Sequence, residues 1–270
     1  MSRFTVVILA VLLITGCQQK KSRSYVDDQG RRITETLYSD GTPETKTIRL
    51  SDSLTLVVRF DEAGVPVDSS RFLNQKLHGR HYYFDKSSGL IHISHYVNGI
   101  QQGVTRGVYT DGKVSYEGYH HNGAKAGAWS FFYHNGLPIT YEFYDSTGRR
   151  LYFRKYDAEG KVQSIDGKLL IAAHHPKENV LPVNREVTME IIAAVPPADT
   201  ISVDVVLFPP EGDSLLLASD NLTSPVYSFS FTPVQEGSHT MSVAVRASAD
   251  TENKETSTWV WAFTCKNEQP

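Results

Sequence analysis

Three kinds of side chain in this sequence are able to do chemistry: clustered histidines, two glutamates within aromatic runs, and cysteine. His92 and His95 are three residues apart, while His120-His121 and His174-His175 are adjacent, among ten histidines in all. Two imidazoles share a metal only if they converge on it, and on an extended strand residues one or three apart point to opposite faces. Solvated or turn-adjacent histidines are expected, with no metal and no cofactor. Glu117 and Glu142 have the side-chain type for general acid and base, but nothing beyond type supports that use. Cys265 would need a stabilised thiolate to act as a nucleophile. With Trp259, Trp261 and Phe263 just before it, it reads as a small buried apolar residue. No Gly-x-Ser-x-Gly elbow, phosphate-cradling glycine loop, His-Glu-x-x-His or Cys-x-x-Cys occurs, so the expectation is a protein that is not an enzyme.

Composition narrows the partners. The chain has 270 residues, is 40% hydrophobic and carries a formal charge of -3, which describes a folded protein with no basic footprint for nucleic acid. Its opening, MSRFTVVILAVLLITGC, has Arg3, an apolar run from Phe4 to Ile14, and Ile-Thr-Gly-Cys. The run is short for a membrane span and has the pattern of a secretory signal. Its end resembles the bacterial lipobox, which implies that residues 1–16 are removed and Cys17 is acylated, palmitate included. Residues 17–24 then form a polar tether beside the membrane, and Gln18 after the cysteine implies the outer membrane of a bacterial envelope. With Cys17 lipidated, Cys265 has no partner for an intramolecular disulfide.

The elements that would position these groups are strands. Sixteen of nineteen glycines lie between 30 and 167, and nine of twelve prolines follow 170. Gly41, Gly64, Gly89, Gly112, Gly136 and Gly160 recur at intervals of 23 to 25, and Gly79, Gly103 and Gly127 at 24. Asn98-Gly99, Asp111-Gly112, Asn122-Gly123 and Asn135-Gly136 are hairpin-turn dipeptides, making Gly99, Gly112, Gly123 and Gly136 the predicted turns. Between them lie runs such as AWSFFYH at 128 and ITYEFYD at 139, rich in residues that favour strands. The spacing predicts an antiparallel meander with about two strands per unit. The Asn-Gly, three residues, Gly, aromatic-strand pattern resembles the MORN repeat, in the bacterial variant labelled as a toxin-antitoxin antitoxin component. This resemblance covers 25–168 and weakens between Asn74 and Gly89.

Alternation places Trp129, Phe131 and Tyr133 on one face of their strand, and Tyr141 and Phe143 on one face of the next. These five aromatics either pack across strands or form a partner-binding face, since tyrosine and tryptophan supply rigid amphipathic contact area. Residues 169–183 read as a linker. From 184 to 266, six alternating strands punctuated by proline and glycine predict a small sandwich. SFSFTPVQEGSHTMSVAV within it resembles a hairpin of bacterial immunoglobulin-like modules. The expected fold is therefore all-β, a MORN-like repeat sheet followed by an immunoglobulin-like sandwich. The expected function is a membrane-anchored lipoprotein that binds an envelope protein or assembles without catalysis. An immunity-like protein that neutralises an exported toxin is the alternative the family label implies, and an envelope carbohydrate-active or hydrolytic enzyme is the third.

Overall fold

The structure, a computed structural model, describes residues 21–197, 199–248 and 254–267. The signal segment 1–16 and the lipidation residue Cys17 lie outside the described residues. The described chain is all-β. Its first part is one antiparallel meander: β1 (Ser22–Val26), β2 (Arg32–Leu37), β3 (Pro43–Arg49), β4 (Leu54–Phe60), β5 (Pro66–Leu73), β6 (Lys76–Asp85) and β7 (Leu90–Val97). After the short β8 (Ile100–Gln101), which pairs only with β7, follow β9 (Gly103–Tyr109), β10 (Val114–His121) and β11 (Ala124–Phe132). The meander ends with β12 (Pro138–Tyr144), β13 (Arg150–Tyr156) and β14 (Val162–Gly167).

Two kinds of turn drive it. At Asn98-Gly99 and Asn122-Gly123 both residues have positive φ, the tight two-residue turn whose twist matches its strands. Asn74-Gln75 adopts the same conformation, 24 residues before Asn98, so the repeat persists where the dipeptide signal fades. At Asp111-Gly112 and Asn135-Gly136 only the glycine is left-handed, and the Asp111 or Asn135 side chain accepts the N–H two residues on.

Asp85 and Asp145 tie other turns in the same way. The Thr147 hydroxyl, which outweighs desolvation, and the N–H groups of Thr147 and Arg149 hold Asp145 down to about 2. Asp85 is held down to about 2 chiefly by the hydroxyls of Ser87 and Ser88. A carboxyl depressed in the fold contributes stability above its ordinary 3.8, and this is lost as pH falls toward about 2. The urea midpoint is expected to drop through that window, and to drop less steeply in an Asp85→Asn/Asp145→Asn variant. Equal steepness in the two proteins would remove these turns as the cause.

Three boundaries differ from the sequence reading. Ser22–Val26 is a strand, so the segment read as a tether is ordered from Ser22; Arg23 and Tyr25 both bond the buried Glu35 of β2, which holds it there. The segment read as a linker is also structured. Leu169 is fully buried, β15 (Leu170–His174) pairs with a sandwich strand, and β16 (Val180–Pro182) runs parallel to the last strand. The sandwich therefore begins before 184. It continues with β17 (Val187–Ala193), β18 (Thr200–Phe208), β19 (Leu215–Leu222), β20 (Val226–Phe231), β21 (Gly237–Ser248) and β22 (Lys254–Lys266). Its sheets run β15-β17-β20 and β16-β22-β21-β18-β19. Met189 and Ile191 of one sheet are buried with Val203, Val205, Met241, Val243 and Phe263 of the other, the interleaving of inward rows that makes a sandwich core.

The two parts share that core. Tyr141, Phe143, Tyr152 and Tyr156 of β12 and β13 belong to the same buried cluster as Leu169, Ala194 and the sandwich interior. Arg154, 0% exposed, pairs there with Asp199 and Glu255, while the Val195 N–H donates to Tyr141 Oη at 2.9 Å. A buried guanidinium stays charged and so requires those carboxylates.

Candidate functional site

Register decides which side chains meet. Directly paired residues on neighbouring strands share a face, and one unbroken row runs Ile93–Arg106–Glu117–Ser130–Tyr141–Arg154. The adjacent row runs His92–Gly107–Tyr116–Phe131–Thr140–Lys155 on the other side. The sheet thus has a Tyr141 face and a Trp129 face, the latter because Trp129 pairs with Glu142.

This register corrects the five-residue aromatic face expected from alternation. Trp129 and Phe131 stand on one side of the sheet, and Tyr141 and Phe143 on the other, because Ser130 pairs with Tyr141 and Ala128 with Phe143. Trp129 is only 3% exposed. Its indole covers Gly118, stacks with Tyr116, meets His120 edge-on and donates Nε1–H to the Tyr119 carbonyl. Phe131 is half-buried beside it, and Lys125 Nζ sits 4.4 Å from the Trp129 ring centre, held also by Glu142. Tyr133 lies beyond the end of β11, where its backbone closes the Gly136 turn. Tyr141 and Phe143 are covered by the C-terminal domain. Burial therefore gives Trp129, Tyr141 and Phe143 to packing.

The groups that suggested chemistry are separated by the same register. His92 bonds Tyr116 Oη on the Trp129 face, whereas His95 is on the Tyr141 face. Glu117 pairs with Arg106 on the Tyr141 face, and Glu142 with Lys125 and Tyr144 on the opposite one, so these carboxylates do not converge. Cys265 is buried, and burial pushes its thiol up, away from the thiolate. Gly99, Gly112, Gly123 and Gly136 are turn residues, each with φ near +85°.

What the Tyr141 face does present is a groove of about 810 Å³ over β9 to β11, lined by Val104, Val114, Tyr119, Ala128 and Phe132, with the paired Glu117 and Ser130 between them and Lys113 beside Val114. Sharing Val104 and Tyr119, a second hollow of about 510 Å³ continues it to Ile93 and Tyr82, with Arg80, His95 and Arg106 around it. Such volumes and apolar linings belong to the range of binding sites.

The groove has a structural counterpart within the chain. Subtracting one 24-residue repeat from the buried residues Tyr141, Phe143, Tyr152, Arg154 and Tyr156 yields Glu117, Tyr119, Ala128, Ser130 and Phe132, all of which line the groove. The C-terminal domain covers one unit of this face, and the groove is the same place one unit earlier. It is hollow because Ala128 and Ser130 stand where the next unit has Tyr152 and Arg154. Aligning the units in sequence exposes this exchange of large for small residues; alternation within a strand does not.

No protein-family model matches the chain, and no curated protein matches it in sequence.

Proposed function

We propose that this protein is a lipid-anchored component of a bacterial envelope whose MORN-like repeat sheet binds protein without catalysis. The observation that carries this reading is the open groove, one repeat away from the equivalent footprint that the chain's own C-terminal domain occupies. A surface built to bury a domain in one unit, and left mainly apolar and uncovered in the preceding one, is suited to protein contact. The lipobox-like MSRFTVVILAVLLITGC supports the anchor, because two or three acyl chains on Cys17 would hold a folded domain at a bilayer without a spanning helix.

The test is photo-crosslinking in intact cells from a benzoylphenylalanine placed at Ser130 in the groove, with Thr140 on the opposite face as control. A discrete adduct from Ser130 and none from Thr140, recovered with membranes and moved to the soluble fraction by Cys17→Ser, is the expected result. No adduct from Ser130, or the same adducts from both positions, would overturn the binding surface. A membrane-bound Cys17→Ser protein would overturn the anchor.

A further inference from the structure

The chain carries a second unmatched apolar surface, on the outer face of its own sandwich. Leu216 pairs with Val206, Val206 with Ser242 and Ser242 with Val260, so these side chains form one outward row, and Phe208 lies beside it on the same face. Phe208 is 46% exposed, Leu216 64% and Val260 61%. In a strand pair, outward positions ordinarily carry polar residues. Three large apolar side chains grouped on one outer face are the mark of a contact surface rather than of scattered exposure.

The two surfaces are opposite in form. The groove lacks bulk at Ala128 and Ser130; the patch projects a phenylalanine, a leucine and a valine. At the rim, Lys113 pairs with Asp111 and Arg106 with Glu117, which itself lines the groove, so the charge beyond these pairs is that of the exposed Arg80 at the far end of the continuing hollow. Next to the patch, the connection between β18 and β19 carries the exposed carboxylates Glu211 and Asp213. Arg80 against Glu211 and Asp213 places opposed charge at the rim, an arrangement that steers a partner and fixes its register.

A peptide is the weaker fit for this groove. Its long axis crosses the strands, whose backbone groups are already paired with one another, so a peptide backbone laid across it would find few hydrogen-bond partners. Side chains projecting from an already paired sheet incur no such loss.

From these observations we infer that the partner of the groove is a second copy of this chain, which seats its Phe208–Leu216–Val260 patch there. This rests on the reading of the groove as a binding surface and names its occupant. Two copies that exchange the contact reciprocally form a closed pair; a contact made in one direction extends into a chain of copies.

The test uses the full-length protein in membranes. Two differently tagged copies are co-expressed, one with Ser130→Cys and the other with Leu216→Cys, and mildly oxidised; buried Cys265 does not compete. A disulfide joining both tags is expected, and none when Thr140→Cys on the opposite face replaces Ser130→Cys. Absence of that disulfide, or equal yield from the Thr140 control, overturns the proposal. The second measurement is the mass of the detergent-purified protein by sedimentation. At least two chains are expected, with association weakened roughly 30-fold or more by Leu216→Asp/Val260→Asp, as for loss of central apolar anchors. A single-chain mass at every concentration, or no response to those substitutions, also overturns it. If the Ser130 photo-adduct then contains a different protein, self-association fails and the binding reading stands; if there is no adduct at all, the binding reading fails as well.

Discussion

Arg154→Ala lowers the stability of the folded chain by about 3–5 kcal/mol, the cost expected when one partner of a buried ion cluster is removed. Arg154 is fully buried between the repeat sheet and the sandwich, where it pairs with Asp199, itself 2% exposed, and with Glu255. Its Nε–H donates to Tyr152 Oη at 3.1 Å, and the Tyr152 hydroxyl donates onward to Glu255 at 2.8 Å. Taking the guanidinium away leaves a buried carboxylate without its cation and removes a bridge between the two parts of the molecule. The loss should therefore appear as two unfolding transitions where the wild type has one, with early proteolysis near Lys168. An Arg154→Met/Asp199→Asn/Glu255→Gln variant, which removes all three charges, should recover much of the loss, because the stranded charges rather than the missing bonds cause most of it. A cost below about 1 kcal/mol for Arg154→Ala would mean that water or rearrangement reaches this cluster.

Gly118→Ala costs about 1–3 kcal/mol, the range for overfilling a packed site. A Cβ at Gly118 would overlap the indole carbons of Trp129, and no flexible chain end is there to move aside. The indole must leave the place where Tyr116, His120, Lys125 and the Tyr119 carbonyl hold it. Denaturant titration together with tryptophan fluorescence reports both effects: a lower midpoint and a red-shifted native spectrum. Gly112→Ala separates this from backbone strain. It has open space around it and a φ of +87°, so its cost of about 1 kcal/mol comes without a fluorescence change. An unshifted native spectrum in Gly118→Ala would show that the indole is not displaced.

The candidate site is partly legible in the sequence. The glycine period located the repeat and its hairpins, since a left-handed turn residue is a local requirement and leaves a local mark. The same period contained the groove, in Ala128 and Ser130 against Tyr152 and Arg154, but only a comparison between units brings it out. Burial was harder to read. Trp129 looks like a display residue by alternation, yet glycine on the neighbouring strand lets its ring lie flat and disappear from solvent. Tyr141 has the same appearance and is covered by a domain that begins some thirty residues later.

By itself, the sequence determined that this chain is all-β, that a meander of hairpins gives way to a sandwich, and that the exchange falls where glycine yields to proline. These follow from φ preferences and from alternation, which act over a few residues. Only the tertiary structure decided that Trp129 and Tyr141 stand on opposite faces, that Arg154 is the buried tie between the parts, and that residues 169–183 belong to the sandwich. Those outcomes depend on the strand register and on which surface covers which. A shift of one residue in register exchanges the two faces of a strand, and no short-range preference along the chain encodes it.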